Sequence, residues 1–300
     1  MANPITKIAV TGAGQMGLGI AYVAAVNARA SVRLYDGNVK ALDKGVAFFE
    51  SLLAKDVKKN KMTQQQADEA RGRLSIIKDL EALGDKPPEM VCEAIVENLG
   101  AKQDLFKRLA NIVPVETILA TNTSSISVSK IASAAVREKF QGGERDRESP
   151  ARVLSAHFMW PVPVSTVVEV IPALQTSPEV LSRVIEFVEK QLGKRVVASK
   201  DRPGFIANRL LCPMLNEAIL LLDESVATRE DIDATMKMAM RHPQGPLELA
   251  DTIGLDTVLS IMETLHRETG DSKYRPAALL SRMVDAGWYG RKSGKGFYDY

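Results

Sequence analysis

The sequence is poor in cysteine and histidine and contains no long apolar run. Only two cysteines occur in 300 residues, Cys92 and Cys212. Both fall in apolar stretches that read as regular elements, and neither belongs to a Cys-x-x-Cys or Cys/His cluster. That excludes a disulfide framework and a structural zinc site, and suits a reducing compartment, expected to be cytoplasmic. No stretch reaches the roughly 18 apolar residues that a membrane span needs. The start, Met1 to Lys7, leads straight into an apolar strand, so no signal peptide is expected. Charge of one sign is also lacking. Thirty-nine basic residues against 37 acidic ones leave a net charge of +2, which gives no ground for a nucleic acid or anionic membrane partner. No repeat recurs at a period of about 20–50 residues. What is present is ordinary globular composition, 45% apolar and 25% charged. At about 100–200 residues per domain, the length fits two domains.

Short apolar runs alternate with longer amphipathic ones over the first two thirds. Strands are expected at Ile5–Val10, Ser31–Asp36, Leu74–Ile77, Met90–Val96, Ile118–Thr121, Val153–His157, Val167–Ile171 and Arg195–Ser199. Helices are expected at Gln15–Ala28, from Asn38 to about Gly72 with a break near Met62-Thr63, and at Lys102–Asn111, Val128–Ala135 and Pro178–Leu192. Strands spaced by helices predict a Rossmann-type, doubly wound α/β domain with a mainly parallel sheet, over residues 1–200. The connection Pro161-Val162-Pro163 is too short for a helix, so its two flanking strands form a candidate antiparallel pair. Residues 201–300 read as all helical: Phe205–Val226, Glu230–Met240, Leu247–Arg267 and Pro276–Ala286. The segment Arg137–Pro150 holds eight charged residues in fourteen and reads as a solvated loop, with a mobile cover as the alternative.

The strongest local motif is Gly12-Ala-Gly14-Gln15-Met16-Gly17, a G-x-G-x-x-G between a strand and a helix. Gly12 allows the tight turn, Gly14 leaves room for a pyrophosphate, and Gly17 lets helix and strand approach. The helix N-terminus then offers free N–H groups to phosphate. Asp36 stands 19 residues after Gly17. A carboxylate there accepts hydrogen bonds from ribose hydroxyls and repels a 2′-phosphate, which favours NAD over NADP. Arg33 is a contrary hint, placed by strand alternation on another face.

Hydride transfer to a nicotinamide leaves an alcohol proton to be removed, and histidine suits that work. There are three histidines. His242 adjoins Pro243 at a helix boundary and His266 lies on a helix, whereas His157 ends an apolar strand, where ligands of α/β sheets sit. Glu169 lies inside the apolar run Val167–Ile171, where burial is costly without a partner. A His157–Glu169 pair explains both residues; a glutamate at a sheet edge facing water is the alternative. Thr121-Asn-Thr-Ser-Ser-Ile126 clusters polar side chains at a strand end, suited to capping a helix or to holding a substrate oxygen. Asn208 is polar in an otherwise apolar helix start and, taken alone, reads as a solvated or inter-helix residue.

Together these segments resemble the 3-hydroxyacyl-CoA dehydrogenase family, especially its short single-function 3-hydroxybutyryl-CoA members. The resemblance runs over essentially the whole chain. It rests on Gly12–Gly17, Glu93-Ala-Ile-Val-Glu97-Asn, Thr121-Asn-Thr-Ser-Ser125, His157-Phe, Pro161-Val-Pro-Val, Val168-Glu-Val-Ile171 and Pro203-Gly-Phe-Ile-Ala-Asn208-Arg. It continues in Gly245-Pro-Leu-Glu-Leu-Ala-Asp251, Ile253-Gly-Leu-Asp256 and Gly290-Arg-Lys-Ser-Gly-Lys-Gly-Phe-Tyr298. The resemblance implies His157 as catalytic base, Glu169 as its partner, and Ser124 and Asn208 as holders of the substrate oxygen. Ser124 also reaches the nicotinamide region. Glu97, Lys102 and Lys292 are implied as NAD contacts. An acyl-CoA substrate, a role in fatty acid β-oxidation, and a homodimer formed through the helical domain are implied as well. Lys55, Lys58 and Lys59 are candidates to meet CoA phosphates.

One departure stands out. The family usually reads H-F-x-N-P, and here the line is His157-Phe-Met-Trp160-Pro161. Trp160 is far larger than asparagine and offers only an N–H donor. The expected reaction is NAD-dependent interconversion of a (S)-3-hydroxyacyl-CoA and its 3-oxoacyl-CoA. Two alternatives stand beside it: a dehydrogenase of a free 3-hydroxy acid or sugar acid, and an NAD-binding dimer without catalysis.

Overall fold

The structure is a computed structural model that describes residues 3–137 and 149–300. Apart from Arg137, Ser149 and Pro150, the charged loop 137–150 therefore lies outside the described residues. The chain divides into two units, Met1–Arg202 and Pro203–Tyr300.

The first unit is built on one sheet of eight strands. In chain order the elements are β1 (Lys7–Thr11), α1 (Gln15–Val26), β2 (Ser31–Tyr35), α2 (Val39–Lys58), α3 (Gln64–Gly72), β3 (Leu74–Ile77), α4 (Ala82–Asp85), β4 (Met90–Glu93), α5 (Leu99–Ile112), β5 (Ile118–Thr121), α6 (Val128–Ala132), β6 (Val153–Phe158), β7 (Val167–Pro172), α7 (Pro178–Glu186) and β8 (Arg195–Ala198). The spatial order is β3-β2-β1-β4-β5-β6-β7-β8. Strands β1 to β6 are parallel, β7 is antiparallel to β6, and β8 follows β7 in parallel. The central strands β4, β5 and β6 are buried along their whole length, because helices cover both faces of a parallel sheet. Helix α1 is buried from Gly17 to Ala25, which its nearly unbroken apolar sequence requires. Polar side chains start the other helices. Asn38 caps α2, Thr63 and Gln66 form a reciprocal capping box on α3, Asn98 caps α5, and Ser177 caps α7.

The second unit holds α8 (Ala207–Asp223), α9 (Arg229–Ala234), α10 (Pro246–Ile253), α11 (Leu255–Thr269) and α12 (Ala278–Asp285). Its core gathers Cys212, Leu215, Ile219, Leu247, Val258, Met262, Leu265 and Leu280. The single helix expected over Leu247–Arg267 is two helices here. Gly254 breaks it at φ +103, a conformation that glycine adopts without strain. Asp233 accepts from the N–H groups of Leu247 and Glu248 and so caps α10. Both thiols are buried; burial, together with the neighbouring Glu93 at Cys92, pushes each up to about 12, so neither is poised for thiolate chemistry. Among the described residues no helix is long and apolar enough to cross a membrane.

Candidate active site

The glycine loop joins β1 to α1. Gly12 has φ +107, and a Cβ there would fall 2.4 Å from the carbonyl oxygen of Ala94. At Gly17 a Cβ would stand 1.9 Å from the carbonyl oxygen of Gly12, so helix and loop touch backbone to backbone. Around Gly14 nothing lies within 4 Å of such an atom. Gly14 is the N-cap of α1 and supplies no side chain to the first turn, where Gln15 is exposed and Met16 half-buried. An open flank beside uncapped N–H groups fits a pyrophosphate. Asp36, just past β2, ties the loop to the sheet. Its carboxylate accepts from Ala13 N–H at 2.7 Å and from Asn38 N–H at 2.8 Å. A carboxylate keeps acceptor capacity beyond these two bonds, which fits a ribose diol. The Arg33 guanidinium donates instead to the carbonyls of Ala82 and Lys86, away from a role in holding a 2′-phosphate. The residues present therefore fit NAD.

Next along the sheet, β4 and β5 end in an ionic cluster whose Lys102 and Glu93 are buried and whose Glu97 lies at its open edge. Lys102 on α5 is 1% exposed and donates to Glu93 at 2.6 Å, with Glu97 at 3.3 Å. Glu93, itself fully buried, also accepts from the Thr121 hydroxyl at 2.6 Å and from Ile95 N–H at 2.8 Å. Glu97 accepts from the Thr123 hydroxyl at 2.6 Å, from Ser124 N–H at 2.8 Å and from Ser125 N–H at 3.0 Å. Burial raises the Glu97 pKa, but the Lys102 charge and these donors outweigh it and hold the carboxyl below its ordinary value. Glu97 and Lys102, expected as cofactor contacts, are thus engaged in fixing the loop that carries Ser124.

Strands β6 and β7 complete the constellation. Their antiparallel register sets His157 directly opposite Glu169. Both are buried, at 4% and 1% exposure, so the water-facing alternative for Glu169 does not hold. His157 Nδ1 lies 2.7 Å from Glu169 Oε2, and Nε2 lies 3.1 Å from Ser124 Oγ. An ionised Glu169 accepts from Nδ1–H, which leaves the Nε2 lone pair on the side of Ser124. Asn122 Oδ1 accepts from Phe158 N–H at 2.8 Å and pins the end of β6 to the same loop. Asp201 caps α6 through Ser127, Val128 and Ser129, at the loop's far end.

Within the α/β unit the structure therefore gathers Ser124, His157, Glu169, Glu97 and Lys102 at neighbouring strand ends. Asn208 and Lys292 belong to the helical unit. Asn208 is buried near the start of α8, and Lys292 Nζ is 2.6 Å from Asp256. Glu93 stands in the segment Glu93-Ala-Ile-Val-Glu97-Asn, for which the resemblance implies a role at Glu97 alone. A carboxylate ending the apolar run Met90-Val-Cys-Glu93 is the same signal that exposed Glu169, and it marks this anchor equally well.

Comparison with known proteins extends these observations. Residues 7–202 match the family model described as 3-hydroxyacyl-CoA dehydrogenase, NAD binding domain, and residues 204–300 match its C-terminal domain. A probable 3-hydroxybutyryl-CoA dehydrogenase of Bacillus subtilis is 49% identical, over 99% of this chain and 98% of its own. The mitochondrial hydroxyacyl-coenzyme A dehydrogenase of Homo sapiens is 37% identical, over 99% of this chain and 91% of its own. The solved structure of (S)-3-hydroxybutyryl-CoA dehydrogenase from Ralstonia eutropha superposes with a TM-score of 0.87 at 42% identity, covering 99% of both chains. Two matched domain models in succession, and relatives alike from end to end, show that this chain belongs to the 3-hydroxyacyl-CoA dehydrogenase family.

Proposed function

We propose that this chain is an NAD-dependent dehydrogenase that interconverts (S)-3-hydroxyacyl-CoA esters and 3-oxoacyl-CoA esters. The observation that carries the reading is the line Ser124 Oγ, His157 Nε2, His157 Nδ1, Glu169 Oε2, with gaps of 3.1 and 2.7 Å at its two ends. In oxidation, His157 Nε2 takes the proton of the C3 hydroxyl while Ser124 Oγ holds that oxygen. Glu169 accepts the Nδ1–H bond throughout and stabilises the imidazolium once the proton has moved. Bound NAD supplies the hydride acceptor at the nicotinamide. In reduction His157 returns its proton to the alkoxide oxygen. The bonds that the Thr123 hydroxyl and the Ser124 and Ser125 N–H groups donate to Glu97 keep the serine in place without reorganisation during the reaction. Asn208 is assigned to the substrate oxygen and Lys292 to the cofactor, on the match of their segments to the family.

Names of relatives support a short acyl chain, since several are 3-hydroxybutyryl-CoA dehydrogenases. The protein is proposed to work in the cytoplasm, which two buried free thiols suit, and as a homodimer. Leu210, Met238 and Met240 of the helical unit, 72%, 81% and 62% exposed, support an interface there.

The test is NADH oxidation with acetoacetyl-CoA, run against NADPH and against free acetoacetate. Rapid oxidation of NADH with the CoA ester alone is the expected result. Turnover of the free acid in preference to the ester would replace this reading with the free hydroxy-acid alternative. NADH binding without turnover on any 3-oxo compound would favour a non-catalytic dimer.

A further inference from the structure

A groove of about 400 Å³ lies in the α/β unit between α1, α2 and the connection from β6 to β7. Its direction follows from helix contacts. Near the glycine loop, Gly45 of α2 lies against Leu18 and Ala13. Farther on, the Tyr22 ring of α1 meets Phe49 edge-on at 5.8 Å, and its hydroxyl donates to Asp56 at 2.7 Å. The two helices therefore run side by side, and the groove leads away from the glycine loop. Phe48, Leu52 and Lys55 line it from α2 as one helical stripe, continued by Lys59 at the helix C-cap. That wall is apolar first and carries Lys55, Lys59 and Lys61 after, with the Asp56 carboxylate among them taken up by the Tyr22 hydroxyl and Lys61. It suits a ligand with a flexible middle and an anionic far end.

The facing wall is Trp160 to Val164. It is braced from behind. Val162 seats on Gly19 of α1, where a Cβ would come within 2.7 Å of the valine Cβ. Lys194, 7% exposed, donates to the carbonyl of Val162 at 2.8 Å and to that of Ser165. Pro161 and Pro163 restrict the same backbone. At the head of this braced wall the Trp160 side chain is left 52% exposed. A large aromatic held ready on rigid backbone is the kind of group that anchors a ligand at small entropic cost.

We propose that Trp160 is a specificity-determining residue for the CoA ester. Its indole packs on the pantetheine stretch between the thioester and the phosphates, whose anionic end meets Lys55 and Lys59. This rests on the CoA-ester reading above. Trp160 stands three residues after His157, so one short connection links the base to the tail contact. The proposed contact is remote from the reacting carbon and made equally in ground and transition states, and a contact of that kind acts on KM and leaves kcat alone.

The test compares Trp160→Ala and Trp160→Phe on acetoacetyl-CoA and on the N-acetylcysteamine thioester, which lacks the nucleotide and most of the chain. Alanine should raise the KM for the CoA ester about tenfold, a difference of about 1.4 kcal/mol. The same variant should keep kcat within about threefold and the KM of the short thioester within about twofold. Phenylalanine retains a flat apolar face and should stay close to the parent on both esters. A second readout uses fluorescence, since the chain has only two tryptophans. Without cofactor, acetoacetyl-CoA should quench emission in Trp288→Phe and leave it unchanged in Trp160→Phe. An unchanged KM in Trp160→Ala would overturn the inference, as would a loss confined to kcat or to NADH affinity. Absence of turnover by the parent on every CoA ester would overturn the reading beneath it, and the inference with it.

Discussion

Glu93 on β4 and Glu169 on β7 are two buried carboxylates on strands of one sheet, and their partners differ in kind. Glu93 faces the Lys102 ammonium and takes further bonds from Thr121 and Ile95. Its charge is fully answered and its geometry is closed. Glu169 faces His157, whose ring meets the Ser124 hydroxyl on its far side. On the proposed function, a buried carboxylate is structural or catalytic according to its partner. A fixed cation makes an anchor. An imidazole held between a carboxylate and the Ser124 hydroxyl makes, on the proposed function, an acid–base pair.

The largest effect that sharpens this contrast is expected at the ring itself. His157→Gln should lose about 10²–10⁴-fold in kcat, the usual range for a general acid or base. NADH affinity measured by titration and the unfolding midpoint should stay near the parent values. Lys102→Met is the counterpart at the anchor. It leaves Glu93 buried without its cation and should cost about 3–5 kcal/mol in urea unfolding. Adding Glu93→Gln to that variant should recover part of the loss, because the orphaned charge goes with it.

Ser124→Ala tests the link between the two clusters. It removes the hydroxyl 3.1 Å from His157 Nε2 and leaves the backbone bond to Glu97 intact. The expected outcome is a loss of about tenfold in kcat/KM with unchanged stability, the scale of one hydrogen bond to the reacting oxygen. The smallest effect concerns acid. The Glu97 carboxyl sits below its ordinary value of 4.5, so its stabilising bonds are complete above that pH. They are lost only as pH falls below 4.5 and through the lowered folded value. Hydrogen exchange of the Ser124 and Ser125 amides should remain slow down to that range and quicken beneath it.

Much of the catalytic end was legible because local signals there are strong. A proline-bounded connection too short for a helix predicts the β6–β7 pairing. One glutamate in an apolar strand demands a partner, and the register supplies His157. The glycine loop was readable for a similar reason: each glycine answers a steric requirement that the structure shows at Gly12 and Gly17. What stayed hidden depends on contacts between residues far apart in sequence. Periodicity runs through Gly254 because a glycine is tolerated within a helical pattern; the break appears only where a Cβ would crowd Asp256 and Lys292. The Lys102–Glu93 bond and the bracing of the Trp160 wall by Lys194 and Gly19 join separate elements through side chains. No spacing rule announces them. Asn208 and Lys292 were marked only by the family's motifs, since an isolated asparagine or lysine on a helical segment carries no signal of its own.

The most direct measurement sets Glu169→Gln beside Glu93→Gln and reads kcat and the urea midpoint of each. Glutamine at 169 can still accept from His157 Nδ1–H, so folding should be nearly unaffected while turnover falls about 100-fold for want of a charge to balance the imidazolium. Glutamine at 93 should lower the midpoint and affect turnover only through stability. A stable, fully active Glu169→Gln enzyme, or a Glu93→Gln protein as stable as the parent, would contradict the division of labour between the two carboxylates.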